Sequence, residues 1–478
     1  MKITLDRVRG KFIITVLAAT TLTGCASFDI KESVALTNEE ASAFTGGSLE
    51  LAISEKDRER HRKTADQLLA EPLTRDAAVQ LALVNSPTVQ SIIARGWATG
   101  ANAAQTGRIP NPVLSLERLV SSDGDATEVE AFLAFGLLDV LLVPWKQDFA
   151  QKRAELAKTQ LTANVISEIT EVRNAWTKAV AAQQIEDFAR QAHVTADASA
   201  ELGSRLESVG NFSRLQRARQ QVFYADATLA LAAAEHEAIA AREQLIRALG
   251  LDDAQARELK LPQTLPDIPE LPVQPDEVTE ILNDRRLDVR MAKAALDAAI
   301  RSQGLGSKVT TFTDVELGYR QVEETVDGDS ESASGYELEV TLPLFDWGGL
   351  KRDLMNANTL AAINEYNRVA GTVSSNTRES YSAYRTSYDI AAFYRDELVP
   401  LRSLISEENV LQYNGMLIGV FELLADSRNQ IASVMGAIRA AEQFWMADAA
   451  LQATMIGLPM DVSVGQVAAA GGGEEAGH

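Results

Sequence analysis

The chain contains one thiol, Cys25, and it closes an apolar run that begins at Phe12. A single cysteine excludes a disulfide framework and any cysteine-built metal cluster. The four histidines, His61, His193, His236 and His478, are too scattered to suggest a metal centre. His236-Glu237 has no second histidine, because position 240 is alanine, so the zinc-protease pattern is missing. Gly304-Leu305-Gly306-Ser307-Lys308 lacks the Gly-Lys-Ser/Thr that a phosphate loop needs. Asp327-Gly328-Asp329 has Leu338 where a calcium loop needs its bidentate glutamate. No Gly-x-Ser-x-Gly elbow occurs, and the methionines are dispersed. These patterns predict a protein that is not an enzyme and holds neither cofactor nor metal.

Composition narrows the partners. The 478 residues carry 67 acidic and 45 basic side chains, for a net charge of −22. Phosphate binding needs a basic face, so nucleic acid is not expected as a partner. Apolar residues make up 46% and charged residues 23%, which excludes a disordered chain.

The setting of Cys25 explains its use. Lys2, Arg7, Arg9 and Lys11 form a basic flank, and the apolar run from Phe12 to Leu22 follows. Eleven helical residues span about 16 Å, too short for a bilayer. This is the layout of a secretory signal peptide, residues 1–24. Leu22-Thr23-Gly24-Cys25 resembles the lipobox of bacterial lipoproteins, with small residues before the scissile bond and a thiol to carry lipid. Residues 25–70 then read as a lipidated, polar lead-in. By that resemblance, Ala26 after the cysteine implies an outer-membrane address, where several acyl chains give stable anchoring.

Proline placement marks the long elements. No proline lies between Pro144 and Pro262, and only Pro400 lies between Pro343 and Pro459. A proline inside a helix costs about 3 kcal/mol, so both gaps permit very long helices. Leu161, Val165, Ile169, Val172, Trp176 and Ala179 recur at coiled-coil spacing, as do Tyr381, Tyr384 and Tyr388. A helix from Trp145 to about Ser208 would be roughly 95 Å long. Fold-backs are expected at Gly203 to Ser213, with Gly210 as left-handed cap and Ser213 as N-cap, and at Tyr413 to Gly419.

The order of elements occurs twice, offset by roughly 200 to 207 positions. A helix over Pro72 to Gly107 corresponds to one over Pro275 to Gly304, with Val278, Ile281, Val289 and Ala292 on its apolar face. The halves, 71–261 and 276–460, close on Leu249-Gly250-Leu251 and Ile456-Gly457-Leu458. Five prolines in the fourteen residues of 262–275 make an extended linker. Residues 461–478 read as a disordered tail. Each half holds two extended segments, about 113–120 and 129–137, then about 314–322 and 336–344. Tyr336, Leu338, Val340, Leu342 and Leu344 alternate with Glu337, Glu339, Thr341 and Pro343. Such lengths suit membrane-spanning strands or the hairpins of a soluble domain. The outer-membrane address favours the former. Four strands do not close a barrel, since the smallest have about eight. Spanning strands must therefore be shared between subunits.

These residues resemble the TolC-type outer membrane efflux family over roughly Pro72 to Pro459. The resemblance rests on Asn85-Ser86-Pro87, on Pro343-Leu344-Phe345-Asp346-Trp347-Gly348-Gly349, and on Tyr413-Asn414-Gly415 with Phe421-Glu422-Leu423-Leu424. Phe135-Gly136-Leu137-Leu138-Asp139-Val140 is a more degenerate first-half counterpart. The family implies a mainly α fold with membrane β. Helical hairpins form a periplasmic α-barrel, and four strands per chain enter a shared 12-stranded barrel of a homotrimer. It also implies passive conduction, a periplasmic adaptor and an inner-membrane pump, here of the RND type. The sequence around Tyr413 resembles the heavy-metal and copper branch, which implies cation export. The family's gating tyrosine falls on Tyr413 and its first aspartate on Glu422. Its arginine position is Ile418, and its second aspartate position is Ala425, with Asp426 adjacent. A ring of Glu422 or Asp426 from three chains would favour cations. Adaptor docking is expected at Gly210, Ser213, Gly415 and Leu417. The competing expectation is an elongated coiled-coil periplasmic lipoprotein without a pore. The alternating strand pairs argue against it.

Overall fold

The computed structural model describes residues 28–124, 126–275, 286–309, 315–327, 329–342 and 344–460. Cys25, Val278, Ile281, Pro343 and the 461–478 tail lie outside the described residues. The fold is mostly helical, with one four-stranded antiparallel sheet. The elements are α1 (Ile30–Thr45), α2 (Glu55–Leu69), α3 (Arg75–Asn85), α4 (Pro87–Gln105), β1 (Val113–Val120), β2 (Ala126–Gly136), α5 (Leu137–Leu141), α6 (Val143–Ser208), α7 (Arg214–Leu249), α8 (Asp253–Glu258), α9 (Leu287–Val309), β3 (Val315–Val326), β4 (Asp329–Val340), α10 (Gly349–Phe393), a π-helical turn (Tyr394–Leu398), α11 (Val399–Asn414) and α12 (Val420–Ile456). They form two compact units. Of the described residues, one unit consists of those up to Ser33 with those of Arg95–Gln160 and Arg290–Ala370; the other consists of those of Val34–Ala94, Leu161–Val289 and from Gly371 onward.

The first unit holds the sheet, in the order β1-β2-β3-β4, with every neighbouring pair antiparallel. β3 and β4 run to twelve residues each: β3 continues past its expected end near 322, whereas β4 begins at Asp329 instead of 336 and stops at Val340, leaving Leu342 and Leu344 outside the strand, ahead of and after a proline that has no amide for the ladder. The expected polar loop Glu323–Gly335 is largely ladder, because backbone pairing continues where the side chains cease to be apolar. β2 likewise begins at Ala126, not Val129.

The second unit is a helical core. Trp176 of α6 is fully buried, and its indole N–H donates to the Leu73 carbonyl at 2.7 Å. Around it pack Leu69, Leu81, Val180, Leu245 and Leu249. α7 and α12 end alike. Gly250 and Gly457 take left-handed backbone (φ 66° and 105°), and each is followed by a Schellman pair of hydrogen bonds. A Cβ on Gly250 would lie 2.2 Å from Pro87 Cδ, and one on Gly457 would lie 2.6 Å from the Leu287 nitrogen. The ends of α7 and α12 thus abut the starts of α4 and α9. Asn85 donates to the Leu249 and Gly250 carbonyls, which the helix end leaves without intrahelical donors.

The segment expected as a polar lead-in contains two helices. Within the second unit, Thr37 of α1 hydrogen-bonds Thr162, and the Arg173 guanidinium lies 4.2 Å over the Phe44 ring. The proline-rich segment 262–275 is tied down by side chains. Tyr381 donates to the Val273 carbonyl, Tyr384 accepts from the Val273 nitrogen and Tyr388 donates to Glu270. Arg395 donates to Ile268, and Trp445 to Pro266. The three tyrosines do pack against helix, with Tyr384 and Tyr388 touching Phe444. Their hydroxyls are committed to the linker backbone.

Candidate functional site

Two regions concentrate unusual features: the sheet, and the turns that join α6 to α7 and α11 to α12.

The sheet has two chemically distinct faces. Residues directly opposite in register share a face, which assigns every strand residue. One face carries Phe135, Leu317 and Leu338 in one row and Leu114, Leu133, Tyr319 and Tyr336 in the next. Tyr319 and Tyr336 are a cross-strand pair with ring centroids 5.5 Å apart. These apolar side chains are largely exposed, including Tyr336 at 84%. The opposite face holds nine of the ten carboxylates in the strands. Along β2 and over the first half of β3, its positions are the more enclosed of the two. Its one basic residue is Arg320. Nε and Nη2 of Arg320 donate to Glu337 at 2.9 and 2.5 Å, Nη1 donates to Glu130, and the guanidinium lies 4.9 Å over the Phe132 ring. Phe132 in turn covers Gly318, where a Cβ would stand 2.3 Å from the ring. Nothing in the local sequence marks Arg320 or Gly318 as site residues. Their role follows from register, which pairs β2 with β3 across about 190 residues. β1 and β4 are the sheet's outer strands, and all eight residues of β1 are exposed. Phe345 and Trp347 stand exposed just beyond β4.

In the second unit the two turns lie side by side, with Phe212 stacked on Phe421 at 4.6 Å. Neither phenylalanine stands out in the sequence as a site residue; the signal is an aromatic placed beside a turn glycine. Gly210 takes the left-handed conformation (φ 81°), and Ser213 caps α7 in a reciprocal capping box with Gln216. In the other turn Gly415 is right-handed, and the left-handed residue is Met416 (φ 59°). Met416 and Leu417 are 92% and 78% exposed. Tyr413 and Glu422 are exposed. Asp426 is not: it is 8% exposed, and its Oδ2 has no hydrogen-bond partner. The structure therefore separates the two acids, one in solvent and one within the helix packing. Further along α12, burial pushes the Glu442 carboxyl up to about 7 against the opposing pull of Lys178 and Arg439. Burial also raises Asp448, which Arg75 faces at 3.6 Å.

Among the described residues no group of three or more histidine, aspartate, glutamate or cysteine side chains is placed to hold a metal. No single described helix is long and apolar enough to cross a membrane. A β-sheet is not subject to that test.

No protein-family model matches the sequence, and no curated protein matches it. Solved structures do match. The outer membrane protein VceC of Vibrio cholerae is 15% identical with a TM-score of 0.62, over 84% of this chain and 98% of its own. CusC, studied for folding and transmembrane channel formation, is 13% identical with a TM-score of 0.63, over 82% and 92%. The open-state MtrE outer membrane channel of Neisseria gonorrhoeae is 17% identical with a TM-score of 0.60, over 84% and 91%. The chain has the fold of TolC-type outer membrane efflux channels.

Proposed function

We propose that a protein with this fold, built from two similar halves, is the outer-membrane duct of a tripartite export system. Three copies each supply four strands to a 12-stranded barrel, and their helical hairpins continue the duct into the periplasm. The observation that carries this reading is the sheet, with one apolar face, one acidic face and two open edges. In lipid an open edge leaves backbone groups without partners, at several kcal/mol each. The β4 edge of one copy against the β1 edge of the next removes both. The apolar face then meets lipid, the acidic face lines water, and Phe345 and Trp347 sit at the interface, where aromatics are favoured.

The duct conducts passively, and an inner-membrane pump of the RND type supplies the energy. Its periplasmic adaptor docks at the turns around Gly210, Ser213, Gly415 and Leu417. Cys25 carries the lipid anchor that holds the mature chain to the outer membrane of a Gram-negative cell. Tyr413, Glu422 and Asp426 remain the candidate gate. Of these, Glu422 carries the ring of charge, since Asp426 faces helix rather than solvent. An acidic lining favours cations, which supports heavy-metal or copper ions as cargo.

Planar-bilayer recording of the detergent-extracted protein tests the reading. Discrete cation-selective steps are expected. Silence from both the wild type and an E422Q/D426N variant would overturn the duct and favour a coiled-coil spacer lipoprotein.

A further inference from the structure

Nine carboxylates on one sheet face make a strongly negative surface, but they are not distributed evenly in their compensation. Near the β3 start, Glu316 and Glu339 stand opposite each other in register. Towards the β3–β4 turn, Glu128, Glu324 and Glu331 occupy one row across three strands. Like charges directly opposite are destabilising, and neither group has a basic residue in its own row. Between these levels lie Glu130 and Glu337, and both are bound by Arg320. The cation is fixed in place by those carboxylates, by the Phe132 ring beneath it and by the side-chain-free Gly318 that lets the ring lie flat.

We propose that Arg320 is the residue that sets how strongly the barrel lumen discriminates between cations and anions. The proposal rests on the duct reading above. The Gly318–Phe132–Arg320 stack forms a partly neutralised belt between two uncompensated negative levels, one such belt per copy, with one guanidinium set against Glu130, Glu337 and the Glu117 that faces Glu130 in register. With three copies the lumen gains three positive charges at one height. Anions then meet a lower barrier there than the flanking carboxylates alone would impose, and cations a shallower well. The other basic residue of the strands, Arg118, is in register with Val129 and Glu323 on the apolar-bearing face. It contributes nothing to the lumen.

The experiment is the reversal potential of single channels of the full-length, detergent-extracted protein in a potassium chloride gradient. It compares wild type, R320Q, R320K and R118Q. R320Q removes three lumenal cations and releases six carboxylates in a trimer. The potassium-to-chloride permeability ratio is expected to rise on the order of threefold, R320K to restore the wild-type ratio, and R118Q to leave it unchanged. A lost trimer band for R320Q on semi-native gels would mark a folding failure. The pair E130Q and E337Q then provides the readout, with the ratio expected to fall. Conduction with the same ratio in R320Q as in wild type, or in E130Q and E337Q where R320Q fails to fold, overturns the role of Arg320 and leaves the duct standing. An equal shift in R118Q overturns the face assignment. Silence of every variant, with E422Q/D426N added to each as well as without, removes the duct and the inference with it.

Discussion

The two helical hairpins of the second unit end in turns with the same hydrogen bonds and different residues. In the α6–α7 turn, Asn211 N–H donates to Leu206 and Gly210 N–H to Glu207. In the α11–α12 turn, Leu417 N–H donates to Gln412 and Met416 N–H to Tyr413. Both are Schellman closures. The first puts glycine at the left-handed position, adds a capping box and spans the turn with an Arg217–Glu207 ion pair at 2.6 Å. The second puts methionine there, and Gly419 supplies no side-chain cap to α12. The arms differ likewise. α6 is one helix of 66 residues. The arm into α11 is interrupted by a π-helical turn, where Val399 N–H reaches back to Tyr394. Pro400 explains it: its ring crowds the carbonyl four residues back and it donates no hydrogen bond, so the helix widens in order to continue. One hairpin is built for rigidity, while the other stores strain at its tip and carries a discontinuity in its arm.

Substitutions break or sharpen this contrast. The largest effect is expected from pH. Glu442 on α12 lies within electrostatic reach of Lys178 of α6 and Glu237 of α7, so it reports on how the second hairpin packs against the first. Its folded value is raised to about 7 from 4.5. Between those values the folded chain holds a proton that the unfolded chain has released, so stability falls as pH rises through that window. The loss is at most about 3 kcal/mol. Melting of the wild type should show this slope and E442Q should lack it. An unchanged slope in E442Q would assign it to other groups.

Next come the seam glycines. A Cβ on Gly436 would stand 2.9 Å from the Tyr394 ring, at the π turn, whereas one on Gly203 meets Gln220 Cγ at an ordinary 3.4 Å. Gly436→Ala should cost about 1–3 kcal/mol, and Gly203→Ala should gain up to about 1 kcal/mol from helix propensity. Equal responses in thermal midpoint would mean that the seams are alike. At the tips, Gly210→Ala should cost about 1–2 kcal/mol and Met416→Gly should stabilise by about 1 kcal/mol. Amide exchange of the last turn of α6 or α11 measures each, and a loss in Met416→Gly would show that Met416 is not strained. The smallest effect is Ser213→Ala, about 1 kcal/mol through the lost cap, read as faster exchange at the Gln216 amide.

Proline spacing and alternation were enough to read long helices and two strand pairs, because both report local backbone preference. The Gly210 and Ser213 roles were legible for the same reason. The strand ends were not: Glu323–Thr325 and Ser330–Ser334 carry no apolar pattern, and alternation reports which side chains meet apolar surroundings, not which amides pair. The tyrosine series 381, 384 and 388 has coiled-coil spacing, and spacing is blind to where a phenolic hydroxyl goes. Arg320 was illegible as a site because its partners lie on β2 and β4, one of them 190 positions away in sequence. Asp426 looks like Glu422 in sequence; only packing distinguishes them.

The open edges of the sheet also bear on how the protein reaches its final form. A single copy presents two rows of unpaired amides and carbonyls beside an exposed apolar face, which is a template for indiscriminate strand addition. Closure of the proposed shared barrel needs other copies, so on that reading productive assembly competes with aggregation on a timescale set by concentration. Dilution starves assembly of partners, and crowding multiplies wrong pairings. Refolding yield should therefore pass through a maximum with protein concentration, and any factor that shields β1 or β4 during transit would act as a chaperone without touching the helices.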